Sequence, residues 1–191
     1  MKKRKRLIDQ RGQMIAAVVC LSFLLGTAGG ALAANLLGTT EHSALAVFLQ
    51  DALEIENTPV FLPIFWKYLK YDLIIWLGGW MSLGLFFSGA AFLFRSISVG
   101  FTSAMILSVQ GTAGILTIAK EILPQNLFLI PAYILTMSAA AYYLSTWREG
   151  EGKRALKRER RRKQTEYCIL FGFSVLLLLA AAGLERVALI G

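Results

Sequence analysis

The chain has 191 residues, 56% of them hydrophobic and only 17% charged, with a mean hydropathy of +0.58. That balance leaves too little charge to cover a soluble domain of this size, and apolar runs of about 18 residues or more read as membrane spans. The net charge of +8 would fit a nucleic-acid binder if it were spread over one face. It is instead concentrated in two blocks, Lys2–Arg11 and Arg148–Lys163, each flanking an apolar run. This is the pattern of cytoplasmic flanks beside membrane spans, with anionic lipid as the natural partner and no nucleic acid.

In chain order, the basic start gives way to an apolar stretch over 14–37. It is long enough to cross a bilayer at about 1.5 Å per residue. Ala31-Leu32-Ala33 fits a signal-peptide cleavage site, but the apolar run continues through Ala34 to Leu37, which favours a retained span. Residues 38–70 follow as an outer segment carrying Glu41, Asp51, Glu54, Glu56, Lys67 and Lys70. Within it Ala44–Leu53 predicts a short helix, too apolar for a freely solvated loop and suited to a membrane surface or a partner. Phe48, Leu49, Asp51 and Leu53 are its candidate docking residues.

Further spans are expected at about 72–94, ended by Arg95, and at 97–119, interrupted at Gln110-Gly111. That interruption also allows a turn, with 112–123 as a separate interfacial or re-entrant helix. A fourth span covers 127–147, with Tyr142, Tyr143 and Trp147 at the interface, and a fifth covers about 167–184. The fold expected is all-α, one polytopic membrane domain of about five helices. The basic loop 148–164 is assigned to the cytoplasm. Four spans separate it from the basic N-terminus, an even number, so the N-terminus lies inside, and the acidic outer segment and the C-terminus lie outside.

Chemistry-bearing patterns are sparse. His42 has no cysteine near it and reads as a solvated loop residue, so no metal is expected. Asp51, Glu54 and Glu56 invite a glycosidase-type carboxylate pair, but nothing fixes their separation, and an acidic outer face accounts for them. No nucleophile-elbow, zinc-protease or phosphate-loop motif occurs. Cys20 and Cys168 both fall inside apolar runs and read as small span residues. No enzymatic activity and no cofactor are expected. The polar residues at depth are Gln110, Lys120, Glu121, Gln125 and Asn126, accompanied by Pro124 and Pro131. They form a surface hairpin; in the alternative reading Gln110, Lys120 and Gln125 line a small transporter or channel. Gly26 and Gly30 in the first span, and Gly84 and Ser88 in the second, offer small-residue surfaces for close helix packing.

The stretch Phe65–Gly100, then Phe101-Thr102, then Leu123-Pro124-Gln125-Asn126-Leu127 and Pro131-Ala132 resembles stage II sporulation protein M. The resemblance covers most of the chain, and L-P-Q-N-L-x-L-x-P-A is its most specific part. It implies a membrane scaffold at the division septum during engulfment. The implied partners are extracytoplasmic cell-wall hydrolases resembling stage II sporulation proteins P and D. The wider membrane family often shows His-Gly after the proline and an acidic residue further on; Gln125-Asn126 and Leu129 stand there in this chain.

Overall fold

The computed structural model describes residues 2–36, 60–81, 83–148 and 156–190. All regular structure among them is helical: α1 Lys2–Leu36, α2 Phe61–Gly78, α3 Gly84–Gln110, α4 Thr112–Thr117, a π-helical turn Ile118–Ile122, α5 Leu123–Arg148 and α6 Leu156–Ile190. Helices satisfy their own backbone polar groups, which a bilayer cannot do for them. Among the described residues four stretches are long and apolar enough to cross a membrane: Gln10–Leu36, Gly84–Gln110, Leu123–Ser145 and Arg161–Val187.

The boundaries differ from the sequence expectation in the middle of the chain. The span expected at 72–94 is broken by a turn after Gly78, and α3 runs uninterrupted through Arg95, where that span was expected to end. The spans expected at 72–94 and 97–119 are therefore replaced by α2, largely upstream of them, and one 27-residue helix. The cause is local. Gly78 and Gly84 meet backbone to backbone, and a side chain on either would overlap the other. Ser88 Oγ donates to the Ile75 carbonyl at 2.9 Å, stapling α2 to α3 as an antiparallel pair. Residues 61–70, expected as the end of the outer segment, form the first half of α2. Pro63 is tolerated there because first-turn N–H groups have no helical partner. α2 carries Lys67, Lys70 and Asp72, which sets it apart from the four apolar stretches.

Gln110-Gly111 does end α3. Gly111 adopts φ +58° and its N–H returns to the Leu107 carbonyl at 2.9 Å. Only glycine enters that left-handed region without strain. Beyond it α4, the π-helical turn and α5 follow without a break. Pro124 cannot donate to the preceding turn, and widening the helix just before it, where Leu123 N–H reaches Ile118 O, accommodates the proline ring. The segment expected as the basic loop 148–164 is helical from Leu156 onward. α1 is likewise one helix through Ala31–Ala33, and Ala34 is buried.

Side-chain neighbours fix the helix directions. Phe23 meets Phe92, Gly26 meets Ser96 and Gly30 meets Phe101, so α1 and α3 run parallel. Tyr68 meets Tyr133 and Trp80 meets Tyr143, so α2 and α5 are parallel too. Tyr143 stacks on Tyr167 while Ala132 meets Ser174, which makes α6 antiparallel to α5. The chain thus alternates direction through α1, α2, α3, α5 and α6. The core is shared by Phe23, Ile75, Phe92, Leu129, Tyr133 and Leu178, with contributions from all five.

Candidate functional site

α2 is the one long helix with several charged side chains in its middle, and its buried face is what it presents to α3, α5 and α6. Before the terminal Gly78, which is buried too, Ile64, Tyr68, Asp72 and Ile75 are its buried positions, at the three- and four-residue spacing of one helical face. Two of these four carry polar groups, so the interior of the bundle is partly polar.

At one end of that face the Tyr68 hydroxyl faces two acceptors, Gln125 Oε1 at 2.6 Å and a Glu185 carboxylate oxygen. A single hydroxyl proton serves one of them at a time. Lys67 Nζ lies 3.9 Å from the other Glu185 oxygen. Arg95 of α3 reaches over the rings of Tyr68 and Tyr133, 5.6 and 6.0 Å from their centroids. Among the described residues these aromatic faces, and no carboxylate, hold the guanidinium inside the bundle. Tyr133 in turn donates to the Tyr68 carbonyl at 3.1 Å. One helical turn further along, Asp72 is fully buried and accepts from Ser174 Oγ at 2.7 Å.

The opposite end of α2 is aromatic. Trp76 stacks on Phe171 at 4.7 Å and on Tyr167 at 6.1 Å, and Tyr143 stacks on Tyr167 at 4.8 Å. Tyr167 donates to the Trp76 carbonyl at 2.6 Å. This packing fills the bundle around the last turn of α2.

The residues singled out from sequence fall in three places. Phe48, Leu49, Asp51 and Leu53 lie outside the described residues. Gln110 and Lys120 are exposed, Gln110 accepting from Thr117 at 2.7 Å, and the side chain of Glu121 is not described. Pro124 is half-buried in the first turn of α5, and Pro131 is exposed on it. Among those described, only Gln125 and Asn126 enter the interior. Gln125 pairs with Tyr68, and Asn126 is buried with its Oδ1 lacking a partner among the described residues. The polar set proposed as a pore lining therefore does not converge on one cavity. Sequence reasoning missed Tyr68, Asp72, Arg95, Tyr133, Ser174 and Glu185. The available signal was Asp72 four residues after Tyr68, directly before the apolar run Leu73–Leu77. Placing Asp72 at a span end concealed it.

The family model described as stage II sporulation protein M matches residues 18–186. That range takes in the whole buried polar face and all of the helices that build it. No curated protein and no solved structure matches the chain.

Proposed function

Since the chain belongs to the stage II sporulation protein M family, we propose that it is a multi-pass scaffold holding extracytoplasmic peptidoglycan hydrolases at the septal membrane during engulfment. The observation that carries this reading is a polarity between the two ends of the bundle. The end of α1, the start of α2, the end of α3, the start of α5 and the end of α6 converge, as the contacts Gly30 with Phe101 and Tyr68 with Gln125 and Glu185 require. The basic blocks lie at the other end, before the apolar part of α1 and around the junction of α5 and α6.

By the positive-inside rule the basic end is cytoplasmic and the convergent end faces out, with α2 as a fifth crossing helix. At about 27 Å for 18 residues, α2 is near the hydrocarbon thickness, and neighbouring helices cover the face that carries Tyr68 and Asp72. Residues 37–60, with Phe48 and Leu49, are attached to the outward end. So are Lys120, Pro124, Gln125 and Asn126. Tethering a hydrolase there raises its local concentration at the membrane without adding chemistry.

Orientation is tested by labelling intact cells in a background lacking Cys20 and Cys168. Gln50→Cys is expected to react with an impermeant thiol reagent and Ala155→Cys is not; the reverse pattern overturns the orientation. Docking is tested by affinity purification from sporulating cells. Wild type is expected to bring down wall hydrolases, and the Phe48→Ser, Leu49→Ser double variant to lose them while still inserting. Interface anchors cost about 2 kcal/mol or more when removed, roughly thirtyfold in affinity. Equal recovery from a stably expressed double variant would remove residues 44–53 as the docking segment.

A further inference from the structure

Asp72 lies at mid-depth in the bundle. Its partner Ser174 is thirteen residues from either end of the apolar stretch Arg161–Val187. The carboxylate is fully buried, and among the described residues no basic group lies within ion-pair range of it. Oδ2 accepts from Ser174, and Oδ1 has no hydrogen-bond partner among the described residues. The Ala132 carbonyl lies 3.4 Å from the same Ser174 hydroxyl and 3.2 Å from Thr136 Oγ1. Three helices thus bring a carboxylate, two hydroxyls and a main-chain carbonyl to one buried spot.

A lone carboxylate in a medium of low dielectric constant is held at a penalty of several kcal/mol unless a positive charge balances it. Arg95 does not supply that charge, because its guanidinium is placed over Tyr68 and Tyr133. The oxygen-only donor set suits a hard, small cation. We propose that Asp72, Ser174, Thr136 and the Ala132 carbonyl form a binding site for a small monovalent cation, a proton or a sodium ion. A proton comes from water and sits on Asp72, which then donates to Ser174 while Ser174 donates to Ala132. A sodium ion is coordinated by the same oxygens with Asp72 ionised. Entry is from the end bearing Lys67, Tyr68 and Glu185, since Trp76, Tyr167 and Phe171 pack the other end. The site stands independently of the scaffold reading.

The test uses the purified full chain in detergent, with the thermal unfolding midpoint as readout, since a ligand that binds only the folded state raises it by mass action. One arm titrates sodium chloride at fixed pH and constant ionic strength against N-methylglucamine chloride. The other varies pH without sodium. Tyr68 on α2, Arg95 on α3, Tyr133 on α5, and Tyr167 and Glu185 on α6 also face this region. The quantity read is therefore the difference between wild type and Asp72→Asn. A sodium response lost in Asp72→Asn identifies sodium, and a pH response lost in it without sodium identifies the proton. Identical curves for the two proteins in both arms overturn the site. If Asp72→Asn does not fold, Ser174→Ala keeps the carboxylate and removes one donor. It is expected to shift the sodium or proton midpoint several-fold, and an unshifted midpoint overturns the proposal.

Discussion

Two seams hold this bundle together by different means. Along the α1–α3 seam, Gly26 and Gly30 lie against Ser96, Ile97 and Phe101, while Gly100 lies against the Thr27 backbone. Main chain meets main chain, and dispersion over the close approach supplies the attraction. Along the face of α2, attraction comes instead from Tyr68, Asp72, Arg95, Tyr133, Ser174 and Glu185, joined by hydrogen bonds and ring contacts. Lipid tails compete poorly for either surface, but for different reasons. The first seam tolerates no added volume, and the second tolerates no lost partner.

The largest effect is expected where volume is added. Gly100→Leu places a branched side chain into the Thr27 backbone, which cannot rotate away. We expect a loss of about 3 kcal/mol or more, at the upper end of overpacking penalties. Gly29→Leu is the matched control, since among the described residues nothing lies within 4 Å of a Cβ at that position. Thermal unfolding of the two variants in the same detergent separates them. If Gly29→Leu falls as far as Gly100→Leu, the loss reflects glycine in α1 and α3 generally and not this seam.

That contrast also marks what could be read from the residues alone. The glycine pairs were legible because a four-residue spacing of small residues permits close helix approach, and Gly26, Gly30, Gly84 and Ser88 all lie at helix contacts. Gln110-Gly111 was legible as a break because glycine supplies the φ the turn needs. The hairpin at Gly78–Gly84 was not. Hydropathy runs smoothly across Trp76–Phe94, and apolar residues hide a turn whose cause is contact between two glycines. Shifting that one turn moved Asp72 from an expected helix end to the bundle interior, and Arg95 from an expected flank to the middle of α3. The buried polar face followed from neither periodicity nor motif, because its members come from four helices.

A smaller effect is expected from removing one partner on the α2 face. Tyr68→Phe keeps the ring beneath Arg95 and deletes only the hydroxyl that faces Gln125 and Glu185. Hydrogen bonds to charged groups are worth about 1.5–3 kcal/mol, and interhelical ones in membranes average nearer 0.6. We expect a loss of about 1–2 kcal/mol, since Lys67 still accompanies Glu185. The paired variant Tyr68→Phe, Glu185→Gln sharpens the comparison. If the hydroxyl and carboxylate act together, the double loss is smaller than the sum of the single losses. Strict additivity would show that the two side chains are neighbours without being coupled.

The smallest effect is expected for a short polar contact outside the bundle. Arg162 Nε and Glu166 Oε1 are 2.9 Å apart at four-residue spacing near the start of α6. By distance alone this pair outranks Lys67 with Glu185, at 3.9 Å. Its side chains are 82% and 57% exposed, however, against 33% and 16% for the inner pair. Water solvates the exposed charges with or without their partner, so an i,i+4 pair of this kind contributes about 0.3–0.5 kcal/mol and salt screens it. Arg162→Gln is therefore expected to leave the unfolding midpoint within error of wild type, and raising salt should erase any remaining difference. Lys67→Gln, with the longer contact, is expected to lower the midpoint more, because the largely enclosed Glu185 then loses the cation beside it. A larger loss from Arg162→Gln than from Lys67→Gln would mean that distance, not burial, ranks the polar contacts of this bundle, and the distinction between its two seams would have to be redrawn.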